Sequence, residues 1–269
     1  MHGAPDDGLA PLIAPLLAAP SKAAVLTDID GTLAPIVESP EQVAVPDGAR
    51  AALAELSGRF AIVACISGRR ALKARELVGV KGIAYAGNHG LELLLAGEDE
   101  PQLDPSVRGR EDAAADFVSE LDGSELTHAE LRVEDKGPIQ ALHWRGADDE
   151  DAAAARAREI AVEAGRAGLE PHWGRKVLEL RPSGGCGKDA AVGAILAEDG
   201  VSAAIYGGDD RTDVDAFRRL RDLRERGRLQ SAVCVGVSSA EAPAELTELA
   251  DLTVEGPPGW LSVLRALAG

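Results

Sequence analysis

Residues 23–32 read Ala23-Ala24-Val25-Leu26-Thr27-Asp28-Ile29-Asp30-Gly31-Thr32. A short apolar run with strand character carries two carboxylates, two residues apart, to its C-terminal end. Gly31 lets the backbone turn sharply, and Thr32 adds a hydroxyl. In an open α/β sheet, ligands bind at the carboxyl edge of the strands. A carboxylate pair there suits covalent chemistry and the holding of a hard cation. Acidic pairs are common in loops, so partners further along the chain decide the matter.

Outward from this stretch the pattern alternates. Apolar runs at 24–27, 60–66 and 82–86 predict strands, and 47–56 and 70–78 carry helical spacing of apolar residues. This alternation predicts a parallel sheet with crossover helices. The texture changes near Gly97, where residues 97–105 are acidic and contain two prolines, as in a linker. Residues 106–122 predict a helix, 130–134 and 139–144 two strands joined by the turn Asp135-Lys136-Gly137-Pro138, 148–167 a helix, and 168–172 and 176–181 two more strands. After Pro182 the first pattern resumes, with strands at 203–206, 231–237 and 252–254 and helices at 189–197, 214–226, 240–250 and 260–267. The fold class expected is α/β, with a core made of residues 1–97 and 182–269 and an inserted α+β domain over 98–181.

Composition narrows the possible partners. The net charge is −17, with 45 acids against 28 bases. A nucleic-acid backbone needs a basic face, and an anionic membrane surface repels an acidic one, so neither is expected as a partner. An anionic substrate requires the pocket to reverse the global field locally, through a metal ion or clustered Lys and Arg. The three cysteines, Cys65, Cys186 and Cys234, are isolated and form no C-x-x-C, which indicates a reduced, cytoplasmic compartment. The apolar stretch from Leu9 to Pro20 is too short to span a bilayer and lacks a basic flank. It predicts a helix packed on the surface of the core.

Three further constellations follow the first in order. The run 62–66 ends in Ser67-Gly68-Arg69 ahead of a helix, where a hydroxyl and backbone N–H groups make an anion site. Lys188, in Gly187-Lys188-Asp189, enters another helix and suits a phosphoryl group with its developing charge. The strand ending Ile205-Tyr206 leads into the acidic stretch Gly207-Gly208-Asp209-Asp210-Arg211-Thr212-Asp213, suited to an oxygen-rich Mg2+ site. Taken singly, these are ordinary turns, caps and surface groups. Nucleophile, hydroxyl, lysine and second acidic pair at successive strand and helix ends seldom occur together by accident.

In this combination the chain resembles the haloacid dehalogenase-superfamily phosphatases, and more narrowly the trehalose-6-phosphate phosphatases. The narrower resemblance rests on residues 28–33 (DIDGTL), 66–69 (ISGR), 87–92 (GNHGLE), 133–138 (VEDKGP), 177–182 (VLELRP) and 208–217 (GDDRTDVDAF). Ile29 stands where the family often has Tyr, Val214 where Glu is common, and Gly184-Gly185-Cys186-Gly187-Lys188-Asp189 replaces a more usual Lys-Gly ending.

The resemblance implies a Rossmann-like core with an inserted cap, and hydrolysis of trehalose 6-phosphate to trehalose and phosphate. Asp28 is the implied nucleophile, Asp30 the general acid and base, and Ser67 and Lys188 the grips on the phosphoryl oxygens. Mg2+ is the implied cofactor, held by Asp28, the Asp30 carbonyl and Asp209, with Asp213 orienting a bound water and Asp210 either a ligand or a neighbour of the ligands. Arg69, His89, Glu134, Lys136, Arg145, Arg175 and Glu179 are the implied substrate contacts. Trp144 and Trp173 are expected to pack within the cap. The alternatives are another sugar-phosphate phosphatase, such as one for sucrose phosphate, and a non-catalytic sugar-phosphate-binding regulatory domain. The second predicts loss of Asp28, Asp30 or Asp209, and all three are present.

Overall fold

Residues Ala23–Thr27 form a strand, β1, whose side chains are all buried. Ala23 and Val25 join one apolar cluster, and Ala24 and Leu26 another. A strand covered on both faces reads as an unbroken apolar run, which explains the absence of polar alternation here. The structure, a computed structural model, describes residues 8–37, 42–174, 176–184, 187–197, 200–239 and 242–269. The further strands are β2 (Ile62–Ile66), β3 (Ala84–Gly87), β4 (Glu92–Leu94), β5 (Gln102–Leu103), β6 (Arg132–Asp135), β7 (Gln140–His143), β8 (Leu169–Gly174), β9 (Val177–Pro182), β10 (Ala203–Gly208), β11 (Ser231–Ser238) and β12 (Leu252–Glu255). The helices are α1 (Leu9–Ala18), α2 (Asp47–Ser57), α3 (Ala71–Val78), α4 (Ala113–Glu120), α5 (Gly123–His128), α6 (Glu150–Arg166), α7 (Lys188–Ile195), α8 (Arg211–Glu225), α9 (Ala244–Leu249) and α10 (Gly256–Ala268).

The chain divides into two compact units, one formed by Met1–Gln102 with Cys186–Gly269, the other by Leu103–Gly185. The first carries a sheet of order β12-β11-β10-β1-β2-β3-β4-β5. Its strands pair in parallel from β12 to β3, and β4 returns antiparallel to β3. On one face α1, α2, α3 and α10 cover the cluster that holds Val25, Val63, Ile205 and Val235. On the other, α7, α8 and α9 cover Leu26, Ile66, Tyr206 and Cys234. Helices on both faces of a parallel sheet define a doubly wound α/β core.

The second unit is an antiparallel sheet of order β6-β7-β9-β8. Leu142 and Leu178 face a cluster with Ala153, Ala157 and Ile160 of α6. Val133, Leu142, Leu178 and Trp173 share that row of the sheet. Glu134, Ala141, Glu179 and His172 form the neighbouring row, which faces the other way. Trp144 is buried in the same cluster, with the exposed Trp173 edge-on to it at 6.1 Å.

Several local expectations change. In place of one helix over 106–122, Pro105–Val107 form a single tight 3-10 turn and α4 begins only at Ala113; beyond the expected end a further helix, α5, starts, capped by the Asp122 carboxylate on the Ser124 N–H. Lys136 follows β6 in the connection to β7, and Arg145 lies past the end of β7. The acidic stretch expected as a loop over 207–213 shrinks to Asp209 and Asp210, since Gly207 and Gly208 extend β10 and Arg211 opens α8. The cause is a reciprocal capping box between Asp210 and Asp213, a pattern that starts helices. Residues 1–7, at the head of the expected first core segment, lie outside the described residues.

Candidate active site

β1 and β10 are adjacent and parallel, so Asp28 and Asp209, each the first residue past its strand, leave the same edge of the sheet. The Asp28 N–H donates to the Gly207 carbonyl at 2.9 Å, which continues the ladder into the turn. Gly31 adopts φ +95°, and a Cβ there would fall 2.1 Å from Asp209 Oδ2. Only glycine lets this turn lie against the Asp209 carboxylate. Thr32 Oγ1 donates to Asp209 Oδ1 at 3.0 Å and fixes that side chain.

Carboxylate oxygens of Asp28, Asp209 and Asp213 lie within 4.8 Å of one another, and all three residues are buried. Lys188, at the start of α7, is 2% exposed. Its ammonium donates to Asp28 Oδ1 and to Asp213 Oδ1, both at 2.7 Å. Asp213 also accepts from the Tyr206 hydroxyl at 2.6 Å and from the backbone N–H groups of Asp209 and Asp210 at 3.0 Å. Its two oxygens are therefore saturated, and it braces Lys188 and the turn after β10. Asp210 spends its carboxylate on the Thr212 and Asp213 N–H groups at the start of α8.

The electrostatics follow from crowding acids in a dry place. Burial pushes Asp28 well above the usual carboxylate range; Lys188 opposes this, while Asp213, Asp209 and Asp210 add to it. Burial, with Asp213 and Asp210, pushes Asp209 up to about 7. Burial raises Asp213 to about 6 against the pull of Lys188. Burial alone would raise Asp210, but Lys188 and the hydrogen bonds of Thr212 hold it below its ordinary value. Burial would discharge Lys188, yet Asp213 and Asp28 keep it charged. Four acids share one ammonium, so the pocket is short of positive charge. Among the described residues Asp28 and Asp209 each accept one side-chain hydrogen bond, which leaves oxygen lone pairs for a hard cation. The donor set fits such an ion.

Ser67 is buried just past β2, and its Oγ accepts the Arg69 N–H at 3.2 Å. Arg69 grips Asp30 with a two-pronged pair, Nε to Oδ2 at 2.8 Å and Nη2 to Oδ1 at 2.7 Å. Asp30 stands outside the Asp28–Asp209–Asp213 cluster. The loop carrying Ser67 and Arg69 is clamped by residues 88–89, where Asn88 N–H donates to the Arg69 carbonyl at 2.7 Å and His89 N–H to the Ser67 carbonyl at 3.0 Å. Asn88 and His89 hold φ of 49° and 57°, left-handed backbone that this clamp stabilises. Buried Glu92 accepts the Ala71 N–H at 2.7 Å and caps α3 from across the chain. Glu92→Ala leaves that N–H unsatisfied and is expected to cost about 1–3 kcal/mol. Urea unfolding checks it, with Glu92→Gln, which still accepts, losing less.

The remaining expected residues lie in the second unit. Glu134 bonds His143 at 2.8 Å, a contact that, with Lys136, holds Glu134 below its ordinary range. Lys136 Nζ and Arg181 Nη2 each reach a Glu179 oxygen at 2.7 Å. Arg145 is exposed in the turn after β7. Arg175 lies outside the described residues. Roles were not expected for Tyr206, His143, Glu92 or Arg181. Glu92 and Arg181 lie inside the quoted motifs GNHGLE and VLELRP, whereas no local pattern marks Tyr206 or His143.

A doubly wound core with a carboxylate cluster and a buried lysine at the C-terminal edge of its sheet defines a haloacid dehalogenase-like hydrolase fold. A haloacid dehalogenase-like hydrolase from Bacteroides thetaiotaomicron superposes with a TM-score of 0.61 at 14% identity, covering 91% of this chain and 98% of that one. The C-terminal domain of Candida albicans trehalose-6-phosphate phosphatase superposes with a TM-score of 0.73 at 22% identity, covering 96% of both chains. The trehalose-phosphatase family model matches residues 26–251, and the chain belongs to that family. It is 34% identical over 225 residues to probable trehalose-phosphate phosphatase 9 of Oryza sativa subsp. japonica, over 73% of this chain and 59% of that relative. The chain thus spans about three-fifths of the rice relative's length.

Proposed function

We propose that the chain is a Mg2+-dependent phosphomonoesterase that hydrolyses trehalose 6-phosphate to trehalose and phosphate. The observation that carries this reading is the buried Lys188 ammonium bridging Asp28 and Asp213, with Asp209 alongside, in a member of the trehalose-phosphatase family. An Asp28 oxygen attacks phosphorus while the bond to the sugar oxygen breaks, and that oxygen takes its proton from Asp30. The aspartyl-phosphate on Asp28 is then attacked by a water whose proton goes to Asp30, and phosphate leaves. Lys188 offsets charge on Asp28 and on the transferring group, the dominant task in phosphoryl transfer. In the structure both Asp30 oxygens are engaged by Arg69, so proton delivery requires this pair to open; an arriving phosphate gives Arg69 another partner. Ser67 supplies a hydroxyl for the phosphoryl oxygens.

Asp28, the Asp30 carbonyl and Asp209 are the proposed ligands of Mg2+, with Asp213 bracing the site and Asp210 capping α8 beside it. Bound there, the ion supplies the positive charge that four acids and one lysine lack. The row of Glu134, Glu179 and His172, with Lys136 and Arg145 at strand ends, suits a substrate covered in hydroxyls. His89 and Arg175 complete the proposed substrate contacts.

A cytoplasmic location is supported by Cys65 and Cys234, which are buried free thiols. Among the described residues, no helix is long and apolar enough to cross a membrane. The acidic net charge of −17 supports a small-molecule partner over nucleic acid or a membrane surface.

Phosphate release from the 6-phosphates of trehalose, sucrose, glucose and mannose, with Mg2+ and with EDTA, tests the proposal. Trehalose 6-phosphate is expected to turn over at least about tenfold faster than the others, in line with a site that hydrogen-bonds its hydroxyls, and EDTA is expected to stop it. Equal rates across the panel defeat the sugar assignment. Silence with every ester defeats the phosphatase assignment.

A further inference from the structure

The main chain of Asp28 is held by a contact from the far end of the chain. Trp260, on α10, is fully buried. Its indole N–H donates to Thr27 Oγ1 at 2.8 Å across 233 residues of sequence. Thr27 Oγ1 in turn donates to the Asp28 carbonyl at 2.7 Å. The same indole lies against Gly207, where a Cβ would fall 2.6 Å from the ring. Gly207 is the residue whose carbonyl accepts the Asp28 N–H. One side chain therefore touches both partners of the Asp28 main chain, the one that holds its N–H and the one that holds its carbonyl.

We propose that Trp260 and Thr27 are positioning residues: the chain from indole to hydroxyl to carbonyl fixes the peptide that presents Asp28 to phosphorus. The C-terminal helix is then part of the catalytic scaffold, although it lies beyond the residues 26–251 matched by the family model. The inference rests on Asp28 being the nucleophile. Thr27 and Trp260 are both shut off from solvent, so neither hydrogen bond is replaced by water when it is lost. An error of about 1 Å in a reacting group costs on the order of a hundredfold in rate, and the smaller shift left by a missing hydrogen bond costs less. This device acts on the chemical step and not on ground-state binding, since neither residue reaches the substrate.

Trp260→Phe keeps an aromatic side chain, smaller than the indole, and removes the N–H; Thr27→Val keeps the shape and removes the hydroxyl; Thr27→Ser keeps the hydroxyl. With trehalose 6-phosphate and Mg2+, the first two are each expected to lower kcat about tenfold with KM within about twofold. The double variant falls little further than the lower of the two single variants, because the hydrogen bonds they remove belong to one chain of contacts. Thr27→Ser recovers most of the rate. Val263→Ala, a packing change on the same helix, lowers Tm and leaves kcat intact. Wild-type kcat in Trp260→Phe and Thr27→Val, losses that multiply in the double variant, or an equal loss in Val263→Ala overturns the proposal. If one relay variant does not fold, the other decides by the same split of kcat from KM. A wild-type protein that releases no phosphate from any ester refutes the phosphatase reading instead. The relay is then read from hydrogen exchange at the amides of Asp28 and Ile29, faster in both variants if it exists and unchanged if it does not.

Discussion

Asp28→Asn is expected to abolish phosphate release, a loss on the order of 10^4 to 10^6 in kcat, the scale on which removal of a nucleophile acts. The amide is nearly the size of the carboxylate, so the pocket keeps its shape and its affinity for the sugar phosphate. The same change is expected to leave stability in EDTA unchanged or to raise it. Asp28 sits buried beside Asp209, Asp210 and Asp213, with Lys188 as the neighbouring ammonium. Removing one carboxylate from a group of four relieves repulsion, and Lys188 keeps its bond to Asp213 at 2.7 Å. A site whose function demands crowded like charges is less stable than its neutralised variant, the usual trade between activity and stability. Phosphate release, calorimetric binding of trehalose 6-phosphate and thermal unfolding check the three parts. Retention of more than about 1% of kcat, far above the residual of a lost nucleophile, places the nucleophile elsewhere.

The parts of this fold that were legible in the sequence are those where one physical signal dominates. β1, β2, β10 and β11 are buried on both faces, and a continuous apolar run followed by turn chemistry reveals such strands directly. β4, only Glu92–Leu94, follows at once upon the turn at 88–90 and leaves too few residues for any period to register. The six-residue helix α5 was not readable because Leu126 is its one buried residue, too few for a period; Asp122 followed by Ser124 was the available sign. The convergence of Asp28, Lys188 and Asp209 was readable because each ends a strand or opens a helix at one edge of a parallel sheet. Contacts that join distant parts of the chain were not readable. Nothing near Thr27 announces Trp260, and nothing near Tyr206 announces that its hydroxyl will meet Asp213. The pairing of Arg69 with Asp30 depends on where two loops meet, and neither loop's local pattern contains that.

Lys188→Met is expected to destabilise the metal-free protein by about 3–5 kcal/mol, the scale on which breaking a buried ion pair acts. The thioether fills similar space, so the loss comes from charge. Lys188 Nζ stands 2.7 Å from Asp28 and Asp213 and 3.8 Å from Asp210. Asp213 would keep its bonds from Tyr206 and two backbone N–H groups, so the cost falls chiefly on Asp28, whose side-chain donor is removed. A cation that binds only the folded state returns stability by mass action, about 2.7 kcal/mol at a hundred times its dissociation constant. Mg2+ should therefore raise the unfolding midpoint of Lys188→Met more than that of the wild type, since among the described residues Asp28, Asp210 and Asp213 form ion pairs with Lys188 alone. Turnover stays low at saturating Mg2+, because the ammonium beside the nucleophile is still missing. Urea unfolding of both proteins in EDTA and across a Mg2+ titration separates these effects. Equal midpoints in EDTA would show that Lys188 does not carry the charge balance of this pocket, and equal gains on adding Mg2+ would show that the ion binds away from Asp28.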